Sequence, residues 1–275
     1  MYSVLSPLVF FFASCLIVAK LLSTGEAAVS TMNYKVNETS VIKRVKLEAS
    51  KGRPALQYRI QLIDEPLYKE ALAFMNEHFV LNNNLVKSLA PGVAPTEPIK
   101  DDDEEPGPWE MALSEGISLA AIIEDDQGTS GSMIGCYMLG IERKGEVFSF
   151  PEGQDIPEFF RYIGQTLEDV EAKADVYSIF NCTSYVAGYG LATAPKYQRR
   201  GIGEEMLRAR AQVCRITDTP VSAAVFTGEA SQKLANKCGY QTLAELDLTT
   251  YRIDGKLIYP NPEWPVIKWM AIRYF

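Results

Sequence analysis

Apolar and polar positions change rhythm several times along the chain, and each change marks an element. Tyr58, Ile60 and Leu62 alternate with polar neighbours, the period of a strand with one covered face. After Asp64-Glu65-Pro66 the spacing turns helical. Leu67, Ala71, Phe74, Met75 and Phe79 fall on one face, and the acidic pair suits the positive end of the helix dipole. A short helix near 109–115 leads into apolar runs at 117–123 and 133–141. The turn material at 125–132 lies between those runs, so they predict a hairpin. Phe159, Ile163, Leu167, Val170 and Ala174 return to helical phase across 157–174. The C-terminal half alternates strand (185–193), helix (from Gly201 through Cys214), strand (221–227) and helix (229–237), with Gly239 as the stop. Two more strands, at 240–251 and 266–274, close the chain. This order predicts one mixed α/β sheet of about seven strands flanked by helices, with no internal repeat.

Two stretches break the pattern. Residues 90–108 are rich in proline and carry Asp101-Asp102-Asp103-Glu104-Glu105, which reads as a solvated loop. The other is the N-terminus, where positions 4–19 are almost wholly apolar and Lys20 and a small-residue tail follow. That segment fits three descriptions: a signal peptide lacking its basic start, a membrane tether over 4–22, or sequence upstream of a working start at Met32. Residues 1–31 are therefore set apart, 32–56 are read as a flexible arm without period, and 57–275 form the folded domain.

Composition removes several function classes. The formal net charge of −8 argues against nucleic acid as a partner and is compatible with small cationic ligands. Five cysteines without a Cys-x-x-Cys pair read as reduced thiols rather than a disulfide framework, which suits a cytoplasmic domain. A single histidine, His78, leaves little for a histidine metal site or a Ser-His-Asp triad, so no metal is expected. Nothing in the sequence asks for a second subunit, and a monomer is the expectation.

The most informative segment is Gln198-Arg199-Arg200-Gly201-Ile202-Gly203, set between a strand and an apolar helix. The glycines let the backbone approach an anion, the first N–H groups of the helix point at it, and the flanking residues add donors and charge. The product is a pyrophosphate site. A dinucleotide fingerprint would need a third glycine where Met206 stands, and an ATPase loop would need Gly-Lys-Ser/Thr.

The longer run Leu191-Ala192-Thr193-Ala194-Pro195-Lys196-Tyr197-Gln198-Arg199-Arg200-Gly201-Ile202-Gly203 resembles the acetyl-CoA motif of the GNAT N-acetyltransferases. The stretch from Ser231 to Tyr240 resembles that family's last helix. The likeness covers about residues 57–275 and implies acetyl-CoA as co-substrate. By resemblance, the strand at Leu191, Ala192 and Thr193 pairs with the pantetheine arm and splays from its neighbour to form a V-shaped slot. Gln198, Arg199, Arg200, Gly201, Ile202 and Gly203 cradle the pyrophosphate.

Direct transfer to an amine needs a neutral amine, a polarised thioester and a proton for the leaving thiolate. An alkylammonium with a pKa near ~10.4 makes the first requirement the costly one. Many members of the superfamily supply the thiolate proton from a tyrosine at the position held here by Ala235. The invertebrate arylalkylamine (dopamine-type) enzymes, which this chain resembles, lack it and carry two hydroxyls that fall on Thr227 and Ser231. Both residues also suit a helix start, as cap and first-turn serine. The base glutamate of that subfamily falls on Asn83, an amide that cannot take a proton at neutral pH. Glu77, His78 and Glu229 are nearby substitutes. The implied activity is acetylation of a small primary amine (dopamine, serotonin, tyramine, octopamine or a polyamine). The rivals are a CoA-binding module that performs no transfer and a GNAT enzyme that acts on another amine.

Overall fold

The computed structural model describes residues 41–50, 52–94, 108–125, 130–146 and 157–275. The apolar N-terminal segment and the acidic run at 101–105 lie outside them. The described elements are β1 (Val41–Leu47), β2 (Leu56–Leu62), α1 (Tyr68–His78), α2 (Asn84–Ser88), α3 (Pro108–Ser114), β3 (Leu119–Glu124) and β4 (Ser130–Arg143). There follow α4 (Glu158–Glu171), α5 (Val176–Phe180), β5 (Ser184–Thr193), α6 (Ile202–Ile216), β6 (Val221–Phe226), α7 (Glu229–Lys237) and β7 (Gln241–Asp247). A small ribbon of β8 (Arg252–Ile253) and β9 (Lys256–Leu257) precedes the last strand, β10 (Val266–Arg273).

Eight strands form one sheet in the order β1-β2-β3-β4-β5-β6-β10-β7. The strand beyond the expected seven is β1, which occupies part of the stretch read as a flexible arm. It is an edge strand, half exposed and basic at Lys43, Arg44 and Lys46, so its polarity hid it. Pairing with β2 from Val41↔Gln61 to Leu47↔Leu56 holds it in place.

Two layers of helices cover the sheet. On one face α1 and α3 pack over Ala120, Ile122 and Met138, and α4 continues that layer over Ala223, Ile267 and Trp269. On the other face α6 packs over Leu119, Ile134 and Val186, and α7 packs beside it over β6 at Phe226. Helix α7 ends where Gly239 takes φ +91°. There the N–H groups of Gly239 and Tyr240 close back onto the carbonyls of Asn236 and Ala235 at 3.0 Å each.

The feature that positions the site is a defect in β5. Met138 of β4 pairs with Gly190 and Leu139 with Gly188, which leaves Tyr189 as an extra, bulged residue. The bulge reverses the alternation along β5. A Cβ on Gly188 would meet Arg210 Nη1 of α6 at 2.8 Å, whereas one on Gly190 would meet Met75 and Phe79 on the opposite face at 2.9 Å. Beside the bulge, β5 and β6 form the one parallel pair among the described strands, and it is two residues long: Val186↔Ser222 and Ala187↔Ala223. Past that pair both strands run on without joining, so the sheet opens into a V. Arg210 pins the apex. Its guanidinium is fully buried and donates to the carbonyl of Val186, to Ala223 O at 3.0 Å and to Tyr137 Oη at 2.8 Å.

Among the described residues no helix is long and apolar enough to cross a membrane. The four described cysteines, Cys136, Cys182, Cys214 and Cys238, are free thiols.

Candidate active site

A cavity of about 710 Å³ fills the V. One end is walled by the start of α6. The other reaches the opposite face, where α1, α2, α3 and α4 meet. Gly188, Tyr189, Gly190 and Leu191 of β5 form one side of the slot, and Ala224, Val225 and Phe226 of β6 the other. Because β5 has left β6 by this point, its backbone presents an unpaired edge to the cavity.

The α6 end is shaped for an anion. Arg199 at φ +57° and Gly201 at φ +83° are left-handed on either side of Arg200, a geometry that turns successive backbone N–H groups to one side. No side chain caps the helix at Gly201, so its first N–H groups face the cavity mouth. Gly203 lines the cavity, and a Cβ there would touch only Leu234, Thr193 and Leu191 at ordinary distances of 3.6–3.9 Å. The missing side chain thus leaves room for a ligand and serves no packing need. These features fit the pyrophosphate of a coenzyme A thioester. Leu191, Thr193, Gln198, Arg199, Gly201, Ile202 and Gly203 all line the cavity. Ala192 turns its side chain into the opposite core, and the Arg200 guanidinium donates to Pro54 O at 2.6 Å, so that side chain braces the turn. Arg53, from the segment joining β1 to β2, donates to Arg199 O at 2.7 Å.

A family model for the acetyltransferase (GNAT) family matches residues 95–240, more than half of the chain and the whole span from the acidic run to the end of α7. The chain belongs to the GNAT family. It is an acetyltransferase of that type, and acetyl-CoA is the family's acetyl donor. Among solved structures it resembles a protein named arylalkylamine N-acetyltransferase 7 from the yellow fever mosquito. Identity is 26%, the TM-score is 0.72, and 88% of this chain and 98% of that one are covered. It shares its fold with mosquito arylalkylamine N-acetyltransferase like 5b (18% identity, TM-score 0.65, 78% and 99% covered). The same holds for a Drosophila melanogaster polyamine N-acetyltransferase that forms N-acetylagmatine (17% identity, TM-score 0.62, 78% and 99% covered). A search of the curated proteins found no match.

Within this GNAT scaffold Thr227 and Ser231 stand together on the cavity wall with Asn83. Thr227 follows β6, and its carbonyl accepts Asn84 Nδ2 at 2.8 Å. The Ser231 hydroxyl donates to Gly228 O at 2.8 Å and accepts the Gly228 N–H at 3.3 Å, closing the first turn of α7. Ser231 therefore has the structural role its position suggested and also faces the slot. Asn83 caps α2, its Oδ1 accepting the Leu85 N–H at 2.8 Å. Ala235 is fully buried on the inner face of α7.

The substitutes named for the missing base do not reach the cavity. Glu77 is 75% exposed at its side chain. His78 packs edge-on to Phe74 at 4.5 Å between ring centroids. Glu229 pairs with Lys233 at 2.7 Å on the surface of α7. Among the described residues the carboxylates that do line the cavity are Glu171, at the end of α4, and Glu204, in the first turn of α6. Glu204 is held by Lys237 at 2.6 Å and Arg208 at 3.1 Å, and the Lys237 hydrogen bond keeps its carboxyl below the usual range.

Sequence reasoning also missed the aromatic walls. Phe79 and Trp109 meet edge to face with centroids 5.7 Å apart, and Phe159 stacks at a tilt on Phe160 at 4.2 Å; all four line the cavity. Tyr189 lies between them and the apex, donating to Glu142 Oε1 at 2.8 Å. Burial, and then the charges of Glu142 and Glu115, push its phenol well above the ordinary value, so it stays protonated and serves as a donor.

Proposed function

We propose that this acetyltransferase moves the acetyl group of acetyl-CoA onto the primary amine of an arylalkylamine. The observation that carries the reading is the acceptor end of the cavity, walled by Phe79, Trp109, Phe159 and Phe160. An aromatic ring seated there removes apolar surface from water on both partners, worth about 1.5–3 kcal/mol over leaving it exposed. The chemistry divides among named residues. The α6 turn and the unpaired edge of β5 hold the coenzyme, and Ser231 and Thr227 offer hydroxyls to the departing thiolate. Acetyl-CoA supplies the activated thioester. The resemblance to the mosquito protein named arylalkylamine N-acetyltransferase 7, at 26% identity, supports an aromatic acceptor.

A thiol-release assay with acetyl-CoA tests this reading across dopamine, serotonin, tyramine, octopamine, agmatine and spermidine. The aromatic amines are expected to be turned over with kcat/KM about tenfold or more above the aliphatic ones, the ratio one buried ring supplies. A preference for agmatine or spermidine would move the acceptor to the polyamine class. Coenzyme binding with no transfer to any amine would leave a binding module.

A further inference from the structure

With an amide at position 83, some other group has to take the ammonium proton. We infer that Glu171 is that group, the carboxylate that receives the proton of the bound acceptor. This rests on reading the cavity as an amine site.

Three observations converge on Glu171. The first is its place on α4. Phe160, Ile163, Leu167 and Glu171 line the cavity at successive helical turns, so three apolar positions are followed by one carboxylate on the same stripe. A ring laid along the apolar part would direct its aminoethyl arm toward the charge. The second is the position of the apex. Gly188 and Ala224, the first residues past the last β5–β6 pair, border both the main cavity and a second void of about 10 Å³, and so does Glu171. Glu142 and Tyr189 line that void as well. Its size is about that of one water, which gives a proton leaving Glu171 a polar route onward. The third is the assignment of the neighbouring carboxylates. Glu142 borders the small void but not the main cavity, Glu115 borders neither, and Glu204 stands at the other end of the main cavity. Glu171 is the acid that joins the acceptor wall to the apex.

The step balances as follows. The ammonium gives one proton to the Glu171 carboxylate, and the freed nitrogen lone pair forms a C–N bond to the thioester carbonyl carbon. The C–S bond breaks, and its electron pair leaves on sulfur. The second nitrogen proton reaches the thiolate, with Ser231 and Thr227 at hand to pass it. Glu171 then returns its proton to solvent, so the products are the amide, the free thiol and one proton.

The test compares wild type with Glu171→Gln on two acceptors of one shape: phenylethylamine, and its analogue with two fluorines on the carbon beside the amine-bearing one. Fluorination lowers the basicity of the nitrogen, so more of that acceptor is already neutral at pH 7. Glu171→Gln is expected to lower kcat/KM for phenylethylamine by about 10²–10³, the usual yield of a positioned base, and to affect the fluorinated amine at least tenfold less. Glu171→Asp should recover part of the loss. Unchanged acetyl-CoA affinity by calorimetry marks a folded variant. An equal fall on both amines, or no fall, overturns the assignment. Agmatine runs beside them with the same variants. If only agmatine is turned over, the aromatic reading fails, while a Glu171→Gln loss of about 10² on agmatine upholds the base and no loss refutes it. No transfer to any amine by wild type overturns both.

Discussion

Asn83 carries the tension of the site at the scale of single residues. The resemblance to the dopamine-type enzymes implies a base at this position, yet its side-chain oxygen is committed to the Leu85 N–H as the cap of α2. The neighbouring Asn84 ties the same corner to Thr227 O and Trp264 O at 2.8 and 3.0 Å. Asn83 is thus placed to hold the wall of the cavity in shape. Asn83→Ala is expected to cost about 1 kcal/mol of stability in denaturant unfolding, the usual worth of a cap, and to reduce kcat/KM by less than tenfold. Asn83→Asp keeps the cap and should be neutral to stability. A loss of 10² or more in turnover with either variant, stability being unchanged, would return Asn83 to the catalytic machinery. Thr227 and Ser231 were legible only through the resemblance to the arylalkylamine enzymes, which implies two hydroxyls on this strand-to-helix turn. Glu171 left a fainter trace: it follows Ile163 and Leu167 at steps of four, a charge in the phase of an apolar stripe.

Among the elements, β1 and its connection to β2 changed the picture most. A basic, half-exposed edge strand has no period strong enough to announce itself, because the helix that covers it, α6, lies far along the chain. Once formed, the pair reaches the coenzyme turn. Arg53 donates to Arg199 O at 2.7 Å, and Lys43 meets Glu205 of α6 at 2.5 Å. The carbonyl that Arg53 holds belongs to a residue in the left-handed region, so this contact helps keep the turn in its anion-binding form. Arg53→Ala is expected to weaken acetyl-CoA binding about two- to tenfold by calorimetry, the range of one lost hydrogen bond, with kcat nearly unchanged. Unaltered affinity would mean the turn holds its shape without the hairpin. The bulge at Tyr189 was beyond sequence reading for a related reason. Gly188 and Gly190 signal close approach, but which face each approaches depends on the register with β4.

For the whole molecule, the same discontinuity that ends the β5–β6 pair creates the chamber in which donor and acceptor meet. The mixed sheet and the helix order could be read from periodicity, since long amphipathic segments speak for themselves. The acceptor end could not, since Phe79 comes from just past α1, Trp109 from α3, and Phe159 and Phe160 from α4, and they meet only in the fold. An enzyme built this way should take its selectivity from the aromatic walls and its donor from the α6 turn. Competition tests this most directly: acetyl-CoA is supplied to the purified chain with equal concentrations of tyramine and agmatine, and the two acetylated products are counted by mass spectrometry. N-acetyltyramine is expected to exceed N-acetylagmatine by about tenfold or more. A product mixture dominated by N-acetylagmatine, or no acetylated amine at all, would contradict the account.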